Sequence, residues 1–532
     1  MAMKVNPLPH GEGWGGGAIV CPQPLAAEEG REVLRRGGNA VDAAVTTAFV
    51  QGVIDPMMNG LGGSGVAVVY TARDHRVTVL DFYARAGGQV QPDQWEELFI
   101  REAADRYGYV CDGWVNDAGY QSVGVPGTVA GLDELLRRFG TIAWEQAVTP
   151  AVKYARDGFQ VTGNIRSFWV TDYGPDVVAN HLRIQWTPES KRIYTKDGEL
   201  YALGEVIKNP DQARTLERLA SAGARDFYEG EIAAAIADDF QRQGGYITRE
   251  DLAAYRVGAG EPVRGRYRDL EVVAAGPPAG GMTLLQMLNF LEGYDLAAMG
   301  WPSAGAALAR VRAMKFAFAD REKYLADPAF AEIPIEKLTA KEYAAAARGA
   351  HDSPNTTHIS VIDREGNAVS MTHTLGSSSG VVTPGLGFGY NNYLNCFDPR
   401  PGRINSLAPG KTRITMMVPT LAFRDGKLEV VIGAPGGTKI VTGVLQTLLN
   451  LVDHGMAPME AVAAPRVDSN GDTVQAEQRI PSDVLAELRD AGFPTNRRPL
   501  GYDTYFSKVQ CLVVGKGGAS DPRGDGGTAL EA

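Results

Sequence analysis

Two short β-prone runs, Thr357 to Ile362 and Ala368 to Thr374, flank the turn-forming stretch Asp363-Arg-Glu-Gly-Asn367. A five-residue connection sets the pairing of the whole hairpin. If those five residues form the loop, Ile362 faces Ala368 and, counting back, Thr356 faces Thr374. Directly opposed residues have Cβ atoms ~4.5 to 5.5 Å apart, close enough for two hydroxyls to interact. His358, Ser360, Ser370 and Thr372 then share one pleat face, while Ile359, Val361, Val369 and Met371 share the other. One face reads as a strip of mostly hydroxyls and the opposite face as core. A loop one residue shorter would instead set His373 opposite Thr356.

A second local construction lies at 428–452. The run Leu-Glu-Val-Val-Ile432 reads as a strand, Gly433-Ala-Pro-Gly-Gly437 as a sharp turn, and apolar residues at 440, 441, 444, 445, 448, 449 and 452 as a helical stripe. Strand, glycine turn and helix together aim backbone N–H groups at an anion, so Gly436 and Gly437 suit an oxyanion hole. A tight turn needing positive φ explains the same glycines.

Glycine is in excess along the whole chain, at 64 of 532 residues, about 12% against a typical ~7%. Leu25 to Arg36 reads as a helix ended by Gly37, and Asn39 caps a second helix, with Asp42 in its first turn. The cluster Asn59-Gly-Leu-Gly-Gly-Ser-Gly65 precedes strands at Val66 to Tyr70 and Val77 to Phe82, joined near Asp74. Helical periodicity dominates Thr128 to Ala347, after which strands and glycine loops return. With no internal repeat and no low-complexity linker, a single large α/β unit fits better than a string of modules.

Composition excludes some classes. The net charge of −11 argues against a nucleic-acid partner. The 44% apolar and 22% charged content argues against disorder. No run of 18 apolar residues suggests a membrane span, and the start has no apolar signal region, so the cytoplasm is the expected location. Cys21, Cys111, Cys396 and Cys511 are scattered without metal or disulfide spacing. The seven histidines show no metal motif, so neither a metal nor another cofactor is expected. Gly376-Ser-Ser-Ser-Gly380 matches the serine-hydrolase elbow, but Val-Val-Thr-Pro-Gly385 follows it and the required helix is not expected.

Asn355-Thr-Thr-His-Ile-Ser-Val-Ile-Asp363, Gly366-Asn-Ala-Val-Ser370 and Ala434-Pro-Gly-Gly437 together resemble the gamma-glutamyltransferase family of N-terminal-nucleophile hydrolases. Gly37-Gly-Asn-Ala-Val-Asp42, Val125-Pro-Gly-Thr-Val-Ala-Gly131, Glu250 to Tyr255, Phe318 to Arg321 and Ala519-Ser-Asp-Pro-Arg523 extend the likeness over nearly the whole chain. The resemblance implies an α/β (α+β) fold, the four-layer αββα sandwich, built from both segments of a proenzyme cleaved between Asn355 and Thr356. The large segment is 1–355 and the small one 356–532, forming one structural domain as a heterodimer, with association of two heterodimers left open. Thr356 is the implied nucleophile, Thr374 its hydrogen-bonding partner, and Gly436 and Gly437 the oxyanion donors. A threonine hydroxyl needs a base, and a new N-terminal amine with a pKa of ~7.7 to 8.0 supplies one.

The substrate clamp departs from the family. Tyr83 stands where glutathione-acting members have an arginine, with Arg85 two residues on; Thr415 and Met416 replace paired serines. Gly376, Tyr393 and Cys396 replace the asparagine, glutamine and aspartate that grip an α-amino group, beside Asn392. Losing the arginine and the aspartate would cost a γ-glutamyl substrate on the order of a hundredfold or more. The pattern looks like the acylase-type branch, so the expected activity is hydrolysis of a small-molecule amide through an acyl-Thr356 intermediate. A γ-glutamyl hydrolase or transpeptidase with a clamp rebuilt on Arg85 or Arg413 is the alternative, and a non-catalytic scaffold is the alternative of another class.

Overall fold

The computed structural model describes residues 16–103, 108–172, 174–346, 357–437, 439–469 and 471–530. Strands from both ends of the chain build one seven-stranded sheet. Its order is Gly258–Gly260, Arg76–Phe82, Ser64–Thr71, Ala368–Thr374, Thr357–Ile362, Ala18–Cys21 and Gly527–Leu530. A six-stranded sheet stacks on it, in the order Pro262–Tyr267, Leu270–Ala275, Thr420–Arg424, Lys427–Gly433, Gln510–Val513 and Gly517–Ser520. Every pairing within the two sheets is antiparallel.

Helices cover the two outer faces. Ala40–Ile54 and Thr128–Phe139 pack on the first sheet, and Gly281–Leu291 and Lys439–Val452 on the second. The result is the four-layer αββα sandwich that the resemblance implies. Strand alternation sorts side chains between the layers: Ile19 and Cys21 join the core under the first helices, while Ala18 and Val20 join the core between the sheets.

Local signals read from the sequence recur here. Asn39 Oδ1 accepts from the amides of Val41 (2.9 Å) and Asp42 (3.0 Å), and Asp42 returns a carboxylate oxygen to the Asn39 amide at 2.8 Å. Gly37 closes the preceding helix at φ +88°, its amide donating to Leu34 O at 2.9 Å. The hairpin pairs Thr357 with His373 and Ile362 with Ala368, the five-residue-loop register. Asp363 locks that loop, its carboxylate accepting from the Asn367 amide (2.9 Å), Asn367 Nδ2 (2.9 Å) and the Ala40 amide (3.0 Å).

The hydroxyl face of the hairpin needs one refinement. Ile359, Val361, Val369 and Met371 do form core, but His358, Ser360, Ser370 and Thr372 are equally buried, because the second sheet lies against them. Among the described residues, no helix is long and apolar enough to cross a membrane. None of the four cysteines is in a disulfide, and all are buried.

Candidate active site

The hairpin positions the first elements of the site. Thr374 ends its strand opposite Ser64, is 1% exposed, and accepts a hydrogen bond from the Gly376 amide at 2.8 Å. That bond uses a lone pair and leaves the Thr374 proton to point at another acceptor. Asn355 and Thr356, the expected cleavage pair and nucleophile, lie outside the described residues.

Behind this end runs a polar seam between the two sheets. His358 Nδ1 lies 2.8 Å from Thr372 Oγ1, and its Nε2 lies 3.1 Å from Ser360 Oγ. Ser360 donates to Gln510 O at 3.2 Å, and Ser370 to Ile432 O at 3.0 Å. Burial holds the His358 pKa down to about 3, so the ring is neutral at ordinary pH. The ring lies against the backbone of Gly433, where a Cβ would come within 2.2 Å of Cε1. Glycine is required there by close approach.

The same seam locates the glycine turn. Ile432 meets the hairpin at Ser370, and Gly433 meets it at His358, which pairs with Thr372. The strand thus packs over the 358–372 stretch of the hairpin just before it enters Ala434-Pro-Gly-Gly437. Gly436 and Gly437 adopt φ of +137° and +63°, and among the described residues neither amide donates to a protein acceptor. The helix Lys439–Val452 begins two residues after Gly437, and Lys439 at its start lines a cavity.

A buried ionic cluster backs the turn. A Cβ on Gly436 would meet Ser507 Cα at 2.6 Å, and Ser507 O accepts from Arg466 Nη1. Arg466 Nη2 donates to Asp521 Oδ2 at 2.6 Å. Arg523 donates to Asp521 Oδ1 at 2.8 Å and to both oxygens of Glu477 at 2.7 and 2.8 Å. The motif Ala519 to Arg523 thus lies in the support of the turn.

A cavity of about 360 Å³ is lined by Gly376, Ser377, Asn395, Arg413, Lys439 and Tyr505, among others. Its loop floor is held by Asn392, whose Oδ1 accepts from the Ser377 amide (2.9 Å) and whose Nδ2 donates to Asp117 Oδ1 (2.9 Å). Arg183, fully buried, donates to Asp117 Oδ2 at 2.6 Å and to Ser378 O at 2.7 Å. Lys439 Nζ and Arg498 Cζ each lie 4.7 Å from the centroid of the Tyr505 ring.

Of the other expected substrate residues, Tyr393 and Cys396 contact the cavity-lining Arg413, whereas Tyr83, Arg85, Thr415 and Met416 are outside the lining. Tyr83, Tyr393 and Met416 are buried in the core between the sheets, and burial pushes both tyrosine pKa values up. Thr415 donates its amide to Pro278 O at 2.9 Å and accepts from the Met417 amide at 3.3 Å. Arg85 pairs with Asp81 at 3.7 Å and is outside the residues lining the cavity. Cys396 Sγ accepts from Arg413 Nη1 at 2.9 Å. Asp117, Arg183 and Tyr505 carry no motif that sequence reading could single out. A larger depression of about 660 Å³ lies away from these groups, where Arg268 and Arg424 are both paired with carboxylates.

The gamma-glutamyltranspeptidase family model matches residues 26–530. Acylase ACY 1 proenzyme of Pseudomonas sp. (strain V22) is 37% identical over 506 residues, covering 91% of this chain and 88% of the acylase. Glutathione hydrolase proenzyme of Escherichia coli (strain K12) is 33% identical, covering 95% of this chain and 90% of its own. The crystal structure of cephalosporin acylase from Bacillus halodurans superposes with a TM-score of 0.87 at 28% identity, covering 99% of this chain and 98% of that one. With a hairpin, a glycine turn and a family match that all run in the same order along almost its full length, this chain belongs to the gamma-glutamyltranspeptidase family.

Proposed function

We propose that this protein is an autoprocessed amidohydrolase that cleaves a small-molecule amide through an acyl-Thr356 ester. The observation that supports the reading is the pair of positive-φ glycines Gly436 and Gly437, whose amides donate to no protein acceptor among the described residues, in a turn whose preceding strand packs on the hairpin that ends at Thr374. Two such donors suit the oxyanion of a tetrahedral intermediate, a contribution of roughly 3 to 4 kcal/mol per donor where one has been removed.

The Thr356 hydroxyl first attacks the Asn355 carbonyl, which shifts the acyl group from nitrogen to oxygen and frees the Thr356 amine; water then hydrolyses that ester, leaving segments 1–355 and 356–532 together as a heterodimer. The freed α-amino group then takes the hydroxyl proton, Thr374 orients the oxygen, and the amide substrate is attacked. The amine leaves with a proton, and water hydrolyses the ester. The acyl group is other than an unmodified γ-glutamyl group, in keeping with the acylase among the relatives and with Gly376, Tyr393 and Cys396 at the clamp positions. A glutathione hydrolase among the relatives keeps γ-glutamyl transfer or hydrolysis as the second reading.

The test is Thr356→Ala beside the wild type. The variant is expected to stay one chain of 56.9 kDa and to be inactive. A cut and active variant refutes the mechanism. Glutaryl, phenylacetyl and γ-glutamyl anilides then separate the two substrate readings, and strong preference for the last reverses their order.

A further inference from the structure

Three of the replaced clamp positions converge on one side chain. Arg413 is 2% exposed, with its Cζ 4.1 Å from the centroid of the Tyr393 ring. Its Nη1 donates to Cys396 Sγ at 2.9 Å and to Asn395 Oδ1 at 2.5 Å. Its Nη2 lies 3.5 Å from the place a Cβ on Gly376 would occupy. Position 376 is closed to most side chains, since its φ is +72° and a Cβ there would lie 2.4 Å from Asn392 Oδ1. The room beside the loop belongs to the guanidinium instead.

We propose that Arg413 is the charge-selecting residue of the acyl subsite: its guanidinium stands beside Gly376, Tyr393 and Cys396, the positions implied to grip an α-ammonium, so the site refuses that ammonium and accepts an oxygen acceptor such as a carboxylate. The inference rests on the amidohydrolase reading above and adds the substrate class. A guanidinium with one face on an aromatic ring and an edge held by neighbours is already oriented, so little rotamer freedom is lost when it binds an anion. Asp117, a carboxylate of the loop floor, is occupied by Arg183, Asn392 and the Val178 amide. Asp172 and Asp176 also line the cavity, from the 171–177 segment, and Asp176 pairs with Arg101.

Two like charges about 5 Å apart, at an effective dielectric of about 20, correspond to a factor on the order of a hundred. The experiment uses the mature wild-type enzyme with glutaryl-p-nitroanilide and γ-glutamyl-p-nitroanilide, which differ only in an α-ammonium, and butyryl-p-nitroanilide as a neutral control. Wild type is expected to favour glutaryl over γ-glutamyl by about a hundredfold in kcat/KM. Arg413→Met is expected to shrink that ratio at least tenfold, and Arg413→Lys, which keeps the charge, to retain most of it. A wild-type ratio near one overturns the proposal whether or not the Met variant folds, and so does an unchanged ratio in Arg413→Met. Turnover of all three anilides without discrimination overturns the role of Arg413 alone. Turnover of none, with Thr356→Ala cut like wild type, overturns the amidohydrolase reading together with it.

Discussion

Adding one methyl group at Gly433 tests the coupling between the hairpin and the glycine turn. In Gly433→Ala the new Cβ would lie 2.2 Å from His358 Cε1, 2.5 Å from Nδ1 and 2.6 Å from Nε2. Ordinary contact needs ~3.5 Å, so ring and strand must separate by more than about 1 Å. Ring movement breaks the 2.8 Å contact with Thr372 and the 3.1 Å contact with Ser360. Two buried hydrogen bonds at ~1 kcal/mol each, plus overpacking strain of ~1 to 3, give a loss of about 3 to 5 kcal/mol. The measurement is the apparent urea midpoint in a Thr356→Ala background, where maturation does not change the chain being unfolded. His358→Ala should be destabilising alone, yet it removes the clash, so the double variant should be no worse than His358→Ala. Additive losses, within about 0.5 kcal/mol, would refute the steric argument. With Thr356 intact, Gly433→Ala should also slow chain cleavage, because the displaced strand carries the turn.

Acid should weaken the fold in a defined window. Burial holds His358 and His373 down to about 3; their unfolded forms bind protons below ~6.5, so stability falls between pH 6.5 and 3 at ~1.4 kcal/mol per unit for each ring. Burial pushes Asp55 up to about 6 and also raises Asp81, Asp133, Asp320 and Asp363; these carboxylates work in the opposite sense as pH falls, so the ring contribution is read against a histidine variant. His373→Gln should lose less stability than the wild type between pH 6.5 and 4.5, and equal changes of the urea midpoint in the two would contradict this. Glu477→Ala removes two charged contacts of the buried Arg523 guanidinium, which keeps Asp521, for an expected loss of ~2 to 4 kcal/mol in urea unfolding and reduced cleavage; a neutral result would show the cluster is not supporting the turn. Asp363→Ala removes three acceptor contacts at the hairpin loop and should lower stability by ~2 to 4 kcal/mol.

Sequence reading succeeded where geometry is local. The hairpin register follows from loop length and the Asn39 cap from a three-residue spacing; the turn at 433–437 follows from its glycines. The layer order was not legible, because Ala18–Cys21 pairs with Thr357–Ile362 on one side and Gly527–Leu530 on the other, partners hundreds of residues away. The polar seam was half legible: alternation put His358 and the hydroxyls on one face, but nothing local says that a second sheet covers them. At the cavity, Arg413 was only one of two candidate cations. The distinction from Arg85 needed the stacking on Tyr393 and the pairing of Arg85 with Asp81.

The edge of the first sheet has an engineering consequence. Ala18 and Leu530 are cross-strand neighbours, so a short tether could join them without crossing the molecule. A gene permuted in that way would start at Thr356, run through Leu530 into Ala18 and finish in the large segment. Once the initiator methionine is removed, Thr356, the proposed nucleophile, would carry a free amine, and no bond to Asn355 would have to break. Activity in such a chain, without any cleaved band, would separate the chemistry of turnover from the chemistry of maturation.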